Sequence, residues 1–190
     1  KQLGTELEAH VIDVRLSLWE PTDIKGIPYF DSNTSKMVWA PPSELPDEEM
    51  AKKYKTIILF MDDDDHYPET SFRRRVAWLT KHPWQPRAVA CTTIACYDLL
   101  RGVSAVNTPP LSLGFSKRIS EATLAFYKDF WTERNFNAAD SVGEGEFFLQ
   151  GREQSCLELP PQQVIVAFSH RKNTSGRRIP SDDAKPGCFW

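Results

Sequence analysis

The stretch "TIILFMDDDDHYPET", residues 56–70, decides how this chain is read. A near-continuous apolar run from Thr56 to Met61 passes directly into four consecutive aspartates, Asp62 to Asp65. Apolar residues on both faces suit a central strand in a covered, mostly parallel sheet. Four adjacent carboxylates repel one another, and Pro68 discourages regular structure just beyond them. The acids therefore stand past the carboxyl end of the strand, where open α/β sheets bind their ligands. A divalent cation makes such a cluster tolerable, and ligands that are all oxygen favour Mg²⁺ or Mn²⁺. A hard cation held from one side keeps coordination positions for the two phosphates of a nucleotide diphosphate, whose departure it would assist as a Lewis acid.

Three other readings compete for the same residues. A Ca²⁺ loop of the EF-hand kind, starting at Asp62, needs Gly at its sixth position and Glu at its twelfth; the chain has Tyr67 and Arg73 there. A phosphatase with an aspartate nucleophile also follows a strand with Asp-x-Asp, but it continues into a Gly-Thr-like turn rather than "DDHYPET". The plainest alternative is a solvated acidic turn that caps the next helix. That role needs one or two aspartates, not four.

Working outward, "HVIDVRLSLW" (10–19) reads as a strand and "KMVWA" (36–40) as a short one. "PPSELPDEEMAKKYK" reads as a helix: Ser43 or Asp47 can cap it, acids lead and lysines close. The spacing of Phe72, Val76 and Leu79 predicts a helix after the aspartates, ended by Pro83. "AVACTTIACYDL" (88–99) reads as one strand and "SEATLAFYKDFWTER" (120–134) as an amphipathic helix capped by Ser120. "GEGEFFLQGR" (143–152) is a short helical segment, and "QVIVAFSH" (163–170) a second buried strand ending in His170. Alternating strands and helices predict a layered α/β domain.

At 190 residues the chain suits a single domain, 1–190, with a sizeable core. Its net charge of −3 gives no global electrostatic case for nucleic acid or an anionic membrane. No run approaches the length of a membrane span. Lys1 is not a start, so the expectation is a fragment of a larger chain. Cys91, Cys96, Cys156 and Cys188 show neither a CxxC pair nor zinc spacing, which predicts free thiols. Asn33 and Asn173 open glycosylation triplets of a kind common by chance. The compartment stays open, with the cytoplasm the first expectation and a secretory lumen the alternative if a signal or anchor lies outside this chain. Oligomeric state is not legible.

The strand plus Asp-x-Asp of "ILFMDDDDHYP" resembles the signature of nucleotide-sugar glycosyltransferases with the GT-A fold, in the family 2-like group. "FRRRVAWL", "AVACTTIACYD", "SEATLAFYKDF", "GEGEFFLQGR" and "VIVAFSHRKNTSGRR" follow in the order of that group. The likeness covers roughly residues 56–180. It implies a GT-A-like layered sheet with helices on both faces. The activity it implies is metal-dependent, inverting transfer of a sugar from a UDP- or GDP-sugar to a glycan or other hydroxyl acceptor.

By the same resemblance Asp62 faces the donor ribose or the metal, Asp64 is the principal metal ligand, and Asp65 touches the acceptor or supports the metal. Asp63 either joins the donor site or turns away to cap the helix. His170 completes the metal shell, and Arg177 and Arg178 cover the diphosphate as bidentate cations. The general base comes from an acidic pair at the start of a helix; here the pair reads Glu144-Gly145-Glu146, so Glu144 leads and Glu146 follows as candidates. Trp131 is the candidate acceptor-stacking residue. Asp13 and Arg15 are the candidate base or ribose contacts, in a stretch, "HVIDVRLSLWEPTD", that either stands in for the group's base-binding opening or leaves part of it outside this chain. A nucleotidyltransferase or phosphohydrolase built on the same acids, and a degenerate module that binds sugar nucleotides or glycans without turnover, are the alternatives.

Overall fold

A computed structural model describes residues 4–5, 8–43, 45–137, 144–173, 179 and 185–186. The chain falls into two compact units, Lys1–Lys55 and Thr56–Trp190. In the first, a 3-10 turn at Leu16–Leu18 precedes helix α1 (Pro21–Lys25) and a hairpin of β1 (Ile27–Asp31) with β2 (Lys36–Ala40), followed by helix α2 (Glu48–Lys53). The strand expected over 10–19 is therefore absent; only the 3-10 turn is regular, and its leucines are exposed. Gly26 enters the hairpin at φ 79°, where a Cβ would lie 1.8 Å from the Ala40 carbonyl oxygen. Asp47 caps α2 by accepting from the Met50 amide at 2.7 Å, and lysines close that helix.

The second unit holds two four-stranded sheets. One runs β3 (Ile57–Leu59), β7 (Ser120–Tyr127), β4 (Ala88–Cys91), β8 (Cys156–Glu158); the other runs β10 (Lys185–Pro186), β6 (Val103–Asn107), β5 (Ile94–Asp98), β9 (Val166–Ser169). Only β4 with β8 and β5 with β9 are parallel. The class is mixed α/β, and the expectation of a mostly parallel sheet is corrected: antiparallel pairings dominate. The predicted strand over 88–99 is two strands broken at Thr92–Thr93, where the chain passes from one sheet to the other.

The largest correction concerns 120–134. Residues Ser120–Tyr127 form a strand, and the helix there, α5, covers only Lys128–Glu133. Glu, Ala and Leu are good helix formers, but this segment lies between β3 and β4 with Ala122 to Tyr127 all buried. Its side chains alternate: Leu124 and Phe126 join one core, Ala125 and Tyr127 the other. Ser120 caps nothing; its carbonyl accepts from the Thr123 hydroxyl, which in turn takes the Cys91 amide at 2.8 Å across a bulge.

Strand β3 is correspondingly an edge strand of its sheet, half-buried, and not central. Its two apolar faces are real, since Ile57 and Leu59 pack on one core while Ile58 and Phe60 pack on the other. Helix α3 (Thr70–Lys81) adds Leu79 to the first core; α5 and helix α6 (Glu144–Leu149) add Phe130 and Phe148 to the second. A short helix α4 (Phe115–Arg118) precedes β7. Cys91, Cys96 and Cys156 are buried, Cys91 and Cys156 as free thiols, while Cys188 lies outside the described residues. Among the described residues no helix is long and apolar enough to cross a membrane.

Candidate functional site

The site begins where β3 ends. Phe60 still donates to Leu124 of β7 at 3.0 Å, and its carbonyl accepts from Arg75 Nη1 at 2.7 Å. One step further a side chain replaces the ladder. The Asp62 amide donates to the Tyr67 hydroxyl at 2.8 Å, and that hydroxyl donates to the Ala122 carbonyl at 3.1 Å. Burial pushes the Tyr67 phenol well above its ordinary value, so it keeps the proton it donates. Arg75 lies fully buried beneath, its guanidinium carbon 5.6 Å from the centre of the Tyr67 ring. Its Nε and Nη2 have no hydrogen-bond partner, and burial pushes its pKa down to about 10.

This anchoring aims the acids together. Asp62, Asp64 and Asp65 each offer an oxygen, and the three oxygens lie within 4.8 Å of one another. Asp65 Oδ1 also accepts from the Phe168 amide of β9 at 2.8 Å. His66 exchanges both backbone hydrogen bonds with Val166 of the same strand, at 3.0 and 2.9 Å. Asp64 Oδ2 meets His170 Nε2 and Asn173 Nδ2, each at 3.1 Å. The Lys172 amide donates to His170 Nδ1 at 3.1 Å, and Asn173 Nδ2 lies 3.2 Å from His170 Nε2. His170 thus reaches the cluster through Asp64. Asp63 is exposed and outside the three-oxygen cluster; no side chain caps α3, so Asp63 does not cap it either.

A cleft of about 430 Å³ adjoins the cluster through Asp62 and is lined by Phe60, Ser120, Glu121, Ala122, Phe136 and Glu144. Glu144 and Asp62 both line this cleft, whereas Glu146 turns to Lys117, 3.5 Å away. Trp131 stands on α5, 37% exposed, and does not line the cleft. Asp13 and Arg15 belong to the first unit, where they pair with each other at 3.3 Å. Arg177 and Arg178 lie outside the described residues.

Tyr67, Arg75, Glu121 and Phe136 were not picked out by the sequence. Glu121 was hidden by the helix expected over its segment; Arg75 looked like one more charge in "FRRRVAWL". Comparison with protein-family models, with curated proteins and with solved structures gives no match.

Proposed function

We propose that this chain is a metal-dependent glycosyltransferase of GT-A-like fold, inverting, that moves a sugar from a UDP- or GDP-sugar to a hydroxyl acceptor. The convergence of Asp62, Asp64 and Asp65 at the end of β3, beside a cleft that carries Glu144, is the observation on which the reading rests. The donor set fits the cation: three carboxylate oxygens, gathered within 4.8 Å, suit Mn²⁺ or Mg²⁺. Such a cation, held by these aspartates, supplies Lewis-acid charge to a diphosphate leaving group.

The remaining chemistry belongs to the chain. Glu144, half-buried in the cleft, is the general base that takes the acceptor's hydroxyl proton as that oxygen bonds to the anomeric carbon. The bond from that carbon to the diphosphate breaks, and the diphosphate leaves with the electron pair. Phe60 and Phe136 offer apolar walls to the acceptor. His170 and Asn173 hold Asp64 in its orientation.

A thermal-shift titration with UDP and with GDP, each with and without Mn²⁺, tests the reading on wild type and Asp64→Ala. Binding to the native state raises the melting temperature by mass action. The expected result is a metal-dependent shift with one nucleotide, absent in Asp64→Ala. No shift with either nucleotide sinks the donor site. Pyrophosphate release in place of sugar transfer would turn the assignment to a nucleotidyltransferase.

A further inference from the structure

Two consecutive residues of β7 hold both walls of the cleft. Ala122 accepts from Tyr67, whose hydroxyl fixes the Asp62 amide. Its neighbour Glu121 reaches the other way, and Glu121 Oε1 accepts from the Gly145 amide at 3.0 Å, in the first turn of α6. That helix stands so close to β7 that a Cβ on Gly145 would lie 2.6 Å from Ile119 Cδ1, 2.9 Å from Glu121 Cγ and 3.2 Å from Glu121 Oε1. Gly145 is buried, so the hydrogen bond is shielded from water on that side. Glu144, the residue before it, is the half of the acidic pair that lines the same cleft as Asp62.

We propose that Glu121 is the positioning residue that sets Glu144: its carboxylate grips the Gly145 amide and fixes the backbone from which the Glu144 side chain enters the cleft. The role rests on the assignment of Glu144 as general base given above. Gly145 suits the same contact, because a Cβ there would press on Ile119 Cδ1 and Glu121 Cγ. This explains why the acidic pair is interrupted at 145. The position that would carry a second carboxylate is occupied by the backbone that Glu121 holds. A precise seat for the base matters because proton transfer needs it within hydrogen-bond reach of the acceptor hydroxyl.

Glu121 itself lines the cleft, so the test must separate a positioning role from a basic one. Glu121→Gln keeps an oxygen that accepts from Gly145 and removes the base; Glu121→Ala removes both. Hydrogen–deuterium exchange of the full chain reads the contact without any turnover. Exchange at 144–149 is expected to rise at least tenfold in Glu121→Ala and to stay within about threefold of wild type in Glu121→Gln, with residues 70–81 unchanged in both. With donor, acceptor and Mn²⁺, kcat is expected to fall at least tenfold in Glu121→Ala and about a hundredfold in Glu144→Gln, while Glu121→Gln retains most of it. Unchanged exchange in Glu121→Ala overturns the proposal, and so does a Glu121→Gln variant as inactive as Glu144→Gln. If wild type shows no metal-dependent nucleotide shift, the transferase reading falls, and the exchange result still decides whether Glu121 holds α6.

Discussion

Arg75 is the most costly side chain in the unit that carries the site. It is fully buried, makes one hydrogen bond, to the Phe60 carbonyl, and leaves two nitrogens without a partner. The fall to about 10 corresponds to roughly 3 kcal/mol against the charged form. Its hydrogen bond to the carbonyl returns about 1.5–3 kcal/mol. The two nearly cancel, so Arg75→Met, similar in volume, is expected to stay within about 1 kcal/mol of wild type in urea unfolding. A loss above about 3 kcal/mol would mean that the guanidinium has a partner after all. The pH sign is fixed too. The folded value lies below the unfolded one, so the unfolded chain binds more protons between them. Wild type should therefore gain stability over Arg75→Met as pH rises through about 10 towards the ordinary arginine range. At this scale the sequence was legible where chemistry declares itself: Asp62, Asp64 and Asp65 do converge, and His170 does touch Asp64. It was silent on Tyr67 and Arg75, because nothing in a tyrosine or in one of three successive arginines reveals which of them a fold buries.

At the scale of elements, the contact between α6 and the start of β7 is a tight joint beside the cleft. Gly145→Ala gains helix propensity of about 1 kcal/mol but presses on Ile119 and Glu121, an overpacking that costs about 1–3 kcal/mol. A net loss of about 1 kcal/mol is expected. Ile119→Val removes the Cδ1 that the new methyl meets, so the double variant should recover part of the loss; strictly additive effects would place the strain elsewhere. The same region shows why elements were only partly readable. The helix at Glu48–Lys53 carries its own cap and charge order, the helix at Thr70–Lys81 its apolar spacing and the Pro83 that follows it, and both stand as the sequence predicts. Ser120–Tyr127 carries helix-forming residues, and its pairing with β3 and β4 makes it a strand. "AVACTTIACYDL" is continuous in hydropathy, and its break at Thr92–Thr93 is set by the existence of a second sheet.

For the whole molecule, the two units differ in kind. Every apolar side chain that is fully buried among the described residues belongs to Thr56–Trp190, in cores spread over both sheets. The hairpin of the first unit leaves Ile27, Phe30, Met37 and Trp39 more than half exposed. A segment of that size without a core falls below what burial supports. The fragment 56–190 is expected to melt cooperatively by circular dichroism, and 1–55 to show no cooperative transition; the reverse result would relocate the source of stability. The layered α/β class was legible from alternating elements, whereas sheet order depends on pairings between residues as distant as Ala95 and Val166.

The acidic run has one more property, which follows from its anchors. Its first residue is tied through Tyr67 to β7 of one sheet, while Asp65 and His66 are tied to β9 of the other. The carboxylates therefore sit on a staple across a seam. Whatever grips them cross-links the two sheets, and anything that lets the sheets slip spreads the grip apart. A cation held by these carboxylates would therefore also stiffen the seam.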